Sequence, residues 1–513
     1  MNESYVFYPT PPRSLTTTVT TSPAGLRVSD SVGTLARLTV GSKTVTVRGP
    51  VRTFTEQKRP FVDSFERVRT GVGWGQSPGG GNYSQSGAIE QYDTDGSSGR
   101  IHLATTNSSR HTTLLDDLTD VNATAVVSVS AQPAGAAASV GLSIGYTSTS
   151  DANRARLIFT STGAVQLVLE KEVAGTVTAL GAATEVGTGF VAGDRWRIRA
   201  QRSGTTLRCR AWKDGTAEPA TWLHSVTDPA NPTGRVGIRG LASTGNTAIP
   251  FDVVVDEIAV ESGKWPSPPT VTHNTWVHIL NAPFNGTWTE SLANRIRAWA
   301  VDSTPDALAY AMMYVTGAVS VYDPALSGKR IFGEAQYGPL TADGGRYEAS
   351  DWNDFIGINW TYASGETRTF PHGNIQVTGA MDCSGFVRQV YGRHMGVPLT
   401  YHENFDGLNI PRATKDMGPS GPGIIIQQAT GAAPTLTGIA PGDVPFFDAD
   451  SSDVETGQID HNGIYLGVDS AGNHRFVNSR KTPNGPTMAD LGGTSLLNGA
   501  GLYARSLRII RRF

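Results

Sequence analysis

Two cysteines occur in 513 residues, and one of them, Cys383, stands where a thiol can act as a nucleophile. In Met381-Asp-Cys-Ser-Gly-Phe-Val-Arg-Gln-Val-Tyr-Gly392 the apolar residues Phe386, Val387, Val390 and Tyr391 fall at helical spacing, and Gly392 can end the helix. Cys383 is then expected in the first turn. There, unpaired backbone N–H groups and the positive end of the helix dipole favour a thiolate and can donate to an oxyanion. Asp382 and Ser384 flank it and the apolar stripe begins only at Phe386, so burial alone explains it poorly. The other cysteine, Cys209, alternates with Leu207 and Ala211 in Thr206-Leu-Arg-Cys-Arg-Ala-Trp212 and reads as a small buried hydrophobe in a strand.

A thiol nucleophile needs a base, and the base needs an orienting group on its far side. Downstream lie Gly442-Asp-Val-Pro-Phe-Phe-Asp448, a strand entered by a turn, and Asp460-His-Asn-Gly-Ile-Tyr-Leu-Gly467. His461 opens a strand, a rigid element able to hold an imidazole opposite a helix terminus. If the Asp469-Ser-Ala-Gly-Asn473 turn closes a hairpin, the next strand, Arg475-Phe-Val-Asn-Ser479, brings Asn478 within reach of the His461 ring. His474, four residues earlier, is the rival for that third position.

Taken in order, Asp-Cys-Ser-Gly-Phe-Val, Gly-Asp-Val-Pro-Phe-Phe and His-Asn-Gly-Ile-Tyr-Leu-Gly resemble the NlpC-type cell-wall cysteine peptidases, over about residues 332 to 513. The resemblance implies a papain-like α+β fold and hydrolysis of peptide bonds in peptidoglycan stems. It implies Cys383 as nucleophile, His461 as base and Asn478 as the residue fixing the imidazole tautomer. Three positions depart from the pattern. Asn359-Trp-Thr-Tyr-Ala-Ser-Gly365 stands where the family often has Pro-Tyr-x-Trp-Gly-Gly, which makes Tyr362 the matching aromatic. Asn478 replaces the commoner His, and Pro445 and Asn462 replace aliphatics.

The elements that carry these residues belong to a multidomain chain, because single cores stop growing near ~250–300 residues. Charged residues are 17% and hydrophobic residues 38%, with 59 Gly and 29 Pro, a composition that favours sheets and turns. Residues 63–264 show short alternating strands without helices, such as Ala125–Ser130, Ala155–Thr160 and Phe251–Asp256. That rhythm predicts an all-β jelly-roll sandwich. With the opening Asp63-Ser-Phe-Glu-Arg-Val and Gly73-Trp-Gly, it resembles concanavalin-like, laminin-G-type domains. Trp74 and Tyr83 could stack on sugars, although packing at turns and edges is the favoured reading. Residues 265–285, opening on Trp265-Pro-Ser-Pro-Pro269, read as a linker. Residues 286–513 read as a helical lead-in and the α+β peptidase domain, with a capping box at Thr287-Trp-Thr-Glu290 and Pro305 opening a second helix that Gly317 can close. Residues 1–62 read as a β-rich segment too small for its own core, suited to docking on a partner.

A net charge of -3 gives no case for nucleic acid, and no apolar run approaches the ~20 residues of a membrane span. No cofactor or metal is expected. His372, His394 and His402 lack zinc spacing, and the acidic stretch Asp448 to Glu455 lacks the turn glycine of a calcium loop. The N-terminus shows no secretory signal. Arg475-Phe-Val-Asn-Ser-Arg-Lys-Thr-Pro-Asn-Gly-Pro486 and Gly501-Leu-Tyr-Ala-Arg505 are similar to minor tail proteins of phages infecting high-GC Gram-positive bacteria. The resulting expectation is a tail-tip or baseplate protein of the virion that opens the host wall at entry. Its partners would be peptidoglycan stem peptides, other tail proteins and a cell-surface glycan at the jelly roll, and by analogy it would be a trimer. The alternatives are a tail or adhesin component with a catalytically silent peptidase fold, and a bacterial wall-remodelling hydrolase.

Overall fold

A computed structural model describes residues 14–57, 61–77, 82–262, 268–339, 341, 345–371, 377–402, 407–450, 457–490 and 493–513. The core of the expected linker at Trp265, His372 and most of the acidic stretch after Asp450 lie outside them. The chain forms two compact units. One comprises residues 60–267 and 340–345, the other residues 1–59, 268–339 and 346–513.

The first unit is a jelly-roll-like sandwich of two antiparallel sheets. One sheet runs through Val165–Val173, Asp151–Phe159, Ala138–Ser148, Gly234–Ala242 and Arg110–Leu118. The other runs through Thr206–Lys213, Trp196–Ser203, Val121–Val129, Phe251–Ser262 and Gly99–Leu103. Period-2 alternation turns Val140, Leu142, Ile144, Leu157, Leu167, Ile198, Val253 and Val255 into one core, and polar residues alternate with them. Cys209 is fully buried in that core, opposite Ala200. Trp74 and Tyr83 are buried too. Trp74 packs edge-on against both Phe65 and Tyr83 beside the Asp63–Arg67 ion pair, whose Asp63 also accepts from the Tyr83 hydroxyl at 2.8 Å. Neither ring is therefore a sugar-stacking surface.

The second unit corrects the expected boundaries in two places. Residues 14–57 are not a separate segment, and residues 265–285 are not wholly a linker. Strands β1 (Thr16–Thr21), β2 (Ala24–Asp30), β3 (Gly33–Thr39) and β4 (Thr44–Phe54) form an antiparallel meander, and Val271–Ile279 joins it as the fifth strand beside β4. The register runs from Phe54 opposite Val271 to Thr44 opposite Ile279. Leu26, Val28, Leu35, Leu38, Val45 and Val47 cover one face with Phe284, Ile296 and Ala300 from the helix Glu290–Trp299 and its flanks. Both helices start two residues later than the sequence suggests. Thr289 caps the first, and Asp306, rather than Pro305, precedes the second helix, Ala307–Met312, which ends before Gly317.

Asp306 also explains why the N-terminal strands cannot be separate. Its carboxylate takes both Nη atoms of Arg52 on β4, at 2.7 and 2.6 Å, and the backbone N–H groups of Ala309 and Val277. Both side chains of the pair are fully buried. Burial alone would raise the Asp306 carboxyl, but Arg52 and the two backbone donors hold it below its usual range.

The rest of this unit is α+β. One sheet has the order Ile424–Gln428, Leu507–Arg512, Val444–Phe447, His461–Asn462, and a second has Ile464–Val468, His474–Arg480, Gly485–Thr487. Trp352, Phe386, Val387, Val390, Phe446, Ile464, Leu466 and Val477 fill the core between sheets and helices. Arg512 on the final strand pairs with Asp443 at 2.7 Å and donates to Thr39 of β3, and the Thr44 N–H donates to the Phe513 carbonyl.

Breaking a buried ion pair on one side leaves an uncompensated charge. Arg52→Met is expected to destabilise this unit by ~3–5 kcal/mol, read as a lowered urea midpoint at unchanged slope.

Candidate active site

Cys383 opens the helix Cys383–Val387, which continues directly into π-helical turns over Arg388–His394. Asp382 is its N-cap and accepts from the Gly385 N–H at 2.8 Å and the Ser384 hydroxyl at 3.1 Å. This first turn lies hard against the chain before the helix Trp352–Ile356. A β-carbon on Gly385 would come within 2.5 Å of the Ser350 carbonyl oxygen and 3.0 Å of Asp351 Cα, so only glycine permits the approach. The Ser350 carbonyl also accepts from the Asp382 N–H at 2.8 Å.

The base side is built by a crossover between the two sheets. His461 and Asn462 pair with Phe447 and Phe446, whereas Ile464, two residues on, pairs with Val477. Gly463 is the point of crossing. A β-carbon there would sit 2.6 Å from both the Phe476 ring and the Val477 carbonyl oxygen, and 3.0 Å from Asn478 Cβ. Its bare backbone brings the Asn478 strand close enough for His461 Nε2 to meet Asn478 Oδ1 at 3.0 Å. The Asn478 amide nitrogen donates to Ser495 Oγ at 3.2 Å and to the Thr487 carbonyl at 3.4 Å. With its nitrogen committed to an acceptor carbonyl, the amide presents oxygen to the ring. His461 Nε2 then carries the proton, and Nδ1 is the basic atom. Tyr503 stacks on the imidazole at 4.9 Å between centroids.

These two halves meet. The Cys383 thiol lies 3.7 Å from the carbonyl oxygen of Asp460, the residue before His461, and 3.7 Å from the Thr414 hydroxyl. Ser479, next to Asn478, donates to the carbonyl of Met381, two residues before Cys383, at 2.6 Å. Cys383 and His461 both line an open cavity of about 740 Å³, together with Tyr337, Arg412, Thr414 and Tyr503.

The structure thus brings together Cys383, His461 and Asn478. It places His474 elsewhere, with Nδ1 2.7 Å from the Tyr465 hydroxyl. Tyr362 does not line the cavity. Its hydroxyl accepts from Arg388 at 2.7 Å within a buried network around Asp351, whose carboxylate pairs with Arg388 Nε at 3.0 Å. The aromatics that line the cavity with the thiol are Tyr337 and Tyr503, and the one local signal for Tyr337 in the sequence is the Tyr337-Gly338 pair upstream of Cys383. Thr414 and Tyr503 carry no local signal that sets them apart. Among the described residues, no group of three or more His, Cys, Asp or Glu could hold a metal ion.

Electrostatics overturn one expectation. The first turn does not produce a ready thiolate. Burial, then the Asp382 charge, push the Cys383 thiol up to about 12, against the opposing Thr414 bond and Arg412. Burial pulls His461 down to about 4 although its bond to Asn478 favours the charged ring. At neutral pH the pair is therefore thiol and neutral imidazole.

Residues 361–494 match the model of the NlpC/P60 family, which suggests a cell-wall peptidase or hydrolase. The search of curated proteins found no match. Among solved structures, the chain is similar to the carbohydrate-binding module CBM66 from Bacillus subtilis, at 9% identity and a TM-score of 0.27, over 35% of this chain and 95% of that one. It is also similar to a family 16 glycosyl hydrolase from Mycobacterium smegmatis (14% identity, TM-score 0.28, 39% and 99% covered) and to a beta-1,3-glucanase from Mycobacterium marinum (14%, 0.26, 40% and 100%).

Gly463→Ala is expected to cost ~1–3 kcal/mol by overpacking, seen in urea unfolding. It should also push the Asn478 strand off His461, seen by NMR as a changed imidazole titration.

Proposed function

We propose that the C-terminal unit is a cysteine endopeptidase that cleaves peptidoglycan stem peptides. Cys383 is the nucleophile, His461 the general base and Asn478 the residue that orients its ring. One observation carries the reading: Asn478, anchored through its amide nitrogen, occupies His461 Nε2 and leaves Nδ1 as the basic atom of a ring that lines the same cavity as the Cys383 thiol. The family match over residues 361–494 supports the substrate class.

The neutral resting pair defines the mechanism. As Cys383 Sγ bonds to the peptide carbonyl carbon, its proton passes to His461 Nδ1, and the imidazolium then protonates the departing amine. Water hydrolyses the thioester with His461 again as base. The N–H of Cys383, at the first helical position, has no acceptor within its own helix and can donate to the oxyanion. Burial raises the Tyr337 phenol further above its usual range, so it remains a hydrogen-bond donor in the same cavity.

The setting we propose is a phage tail tip, on the strength of the stretches 475–486 and 501–505. There the chain would be one of several symmetric copies, a trimer by analogy, with the jelly roll as spacer or glycan binder. The family match fits a bacterial wall-remodelling hydrolase equally well. Antibody labelling decides between them, since detection on host cells but never on virions rejects the tail setting.

Purified peptidoglycan incubated with the protein should release new stem-peptide fragments, and Cys383→Ala should release none. Equal release, or none from either, would refute the enzyme reading. Because the base must be neutral, kcat/KM should fall on the acid side near the His461 value of about 4, not near the ~6.5 of free histidine.

A further inference from the structure

Arg412 lies on the cavity wall two residues before Thr414 and reaches the first turn of the Cys383 helix from outside it. Its Nη2 donates to Asp382 Oδ2 at 2.6 Å, its Nη1 approaches Asp382 Oδ1 at 3.3 Å, and Nη1 also donates to the Ser384 hydroxyl. Its Nε lies 3.6 Å from Asp351. The guanidinium therefore clasps the residues on both sides of Cys383, and both members of the Asp382 pair are mostly buried, with side chains 15% and 8% exposed.

This placement answers a problem that the N-cap creates. Asp382 organises the turn by accepting from Gly385 and Ser384, but it sets a carboxylate next to a sulfur that must become negative. Asp382 and Glu348 both oppose thiolate formation, whereas Arg412 favours it, as does the Lys481 ammonium. The same cavity is lined by His461, by Tyr337 and Tyr503, both held as neutral phenols by burial, by Lys481, which pairs with Glu348 at 2.6 Å, and farther round by Arg368, Lys415, Arg480, Asp450 and Asp460. Carboxylates buried near Arg412 in turn raise its own affinity for a proton, so it stays charged.

We propose that Arg412 is a positioning residue for the nucleophile: it locks the Asp382–Ser384 turn and cancels the Asp382 charge beside Cys383. The proposal rests on the reading of Cys383 as nucleophile. It adds a cation from a distant segment to the triad, acting through Asp382 and not on the substrate.

Iodoacetamide alkylation of the Cys383 peptide in the full-length protein, followed by mass spectrometry at about pH 8, tests it without any substrate. Removing a cation about 10 Å from the thiol corresponds to about one pH unit at an effective dielectric near 20. A more basic thiolate is more nucleophilic, so the net fall in rate for Arg412→Gln is about threefold to fourfold. Arg412→Lys, which keeps the charge, should stay within about twofold of wild type. Asp382→Asn added to Arg412→Gln should restore the rate, because the charge to be cancelled is gone. An unchanged rate in folded Arg412→Gln overturns the proposal, as does failure of Asp382→Asn to restore it. If Arg412→Gln does not fold, a tenfold loss in Arg412→Lys overturns it instead. Fragment release from peptidoglycan reports separately on the peptidase reading, so the two can fail independently.

Discussion

A carboxylate removed from water must be met by a counter-charge, and this unit satisfies that requirement at the starts of its helices. Asp306, Asp351 and Asp382 each cap a helix, and each is held by an arginine from a remote part of the chain: Arg52, Arg388 and Arg412. One side chain thus satisfies local backbone donors and fixes tertiary position together. Removing either partner would strand a buried charge, so the three clasps determine which segments lie side by side. The Arg388, Arg412 and Arg368 guanidinia hold the Asp351 carboxyl at about 2 despite its burial.

The site follows from the same rule. Asp382 needs its arginine because it faces a helix start and a reactive sulfur together. The desolvation that protects the thiol also keeps it protonated, and the imidazole is kept neutral by the same dryness. On the proposed reading, reactivity is reserved for the moment a carbonyl enters and the thiol proton passes to the imidazole. Glycine at 385 and at 463 supplies the two close backbone approaches without which the halves would stand apart.

Much of this was legible in the sequence. The jelly-roll rhythm, the helix start at Cys383 and the hairpin that brings Asn478 to His461 follow from short-range periodicity and turn chemistry. The single strand expected from His461 onward, however, is broken at Gly463 between two sheets, and the helix runs through Gly392 to His394. What periodicity cannot reveal is pairing across long separations. β4 binds Val271–Ile279 more than two hundred residues on, and both partners are merely β-prone when read alone. Local cues also misplaced the helix starts, because Asp306 is chosen as cap by its bond to Arg52 and not by the adjacent proline. Tyr362 matched a motif position yet serves the Asp351 network, while Tyr337, Thr414 and Tyr503 reach the cavity only through the fold.

Because Phe54 and Val271 are direct neighbours in one sheet, the chain departs from and returns to nearly the same point around the jelly roll. In topological language the sandwich is a guest inserted into a host fold whose two ends already sit together. A short hairpin turn could close that gap at little cost in loop entropy. Such a guest is exchangeable: recombination at this seam can replace the sandwich without rebuilding the core of its host.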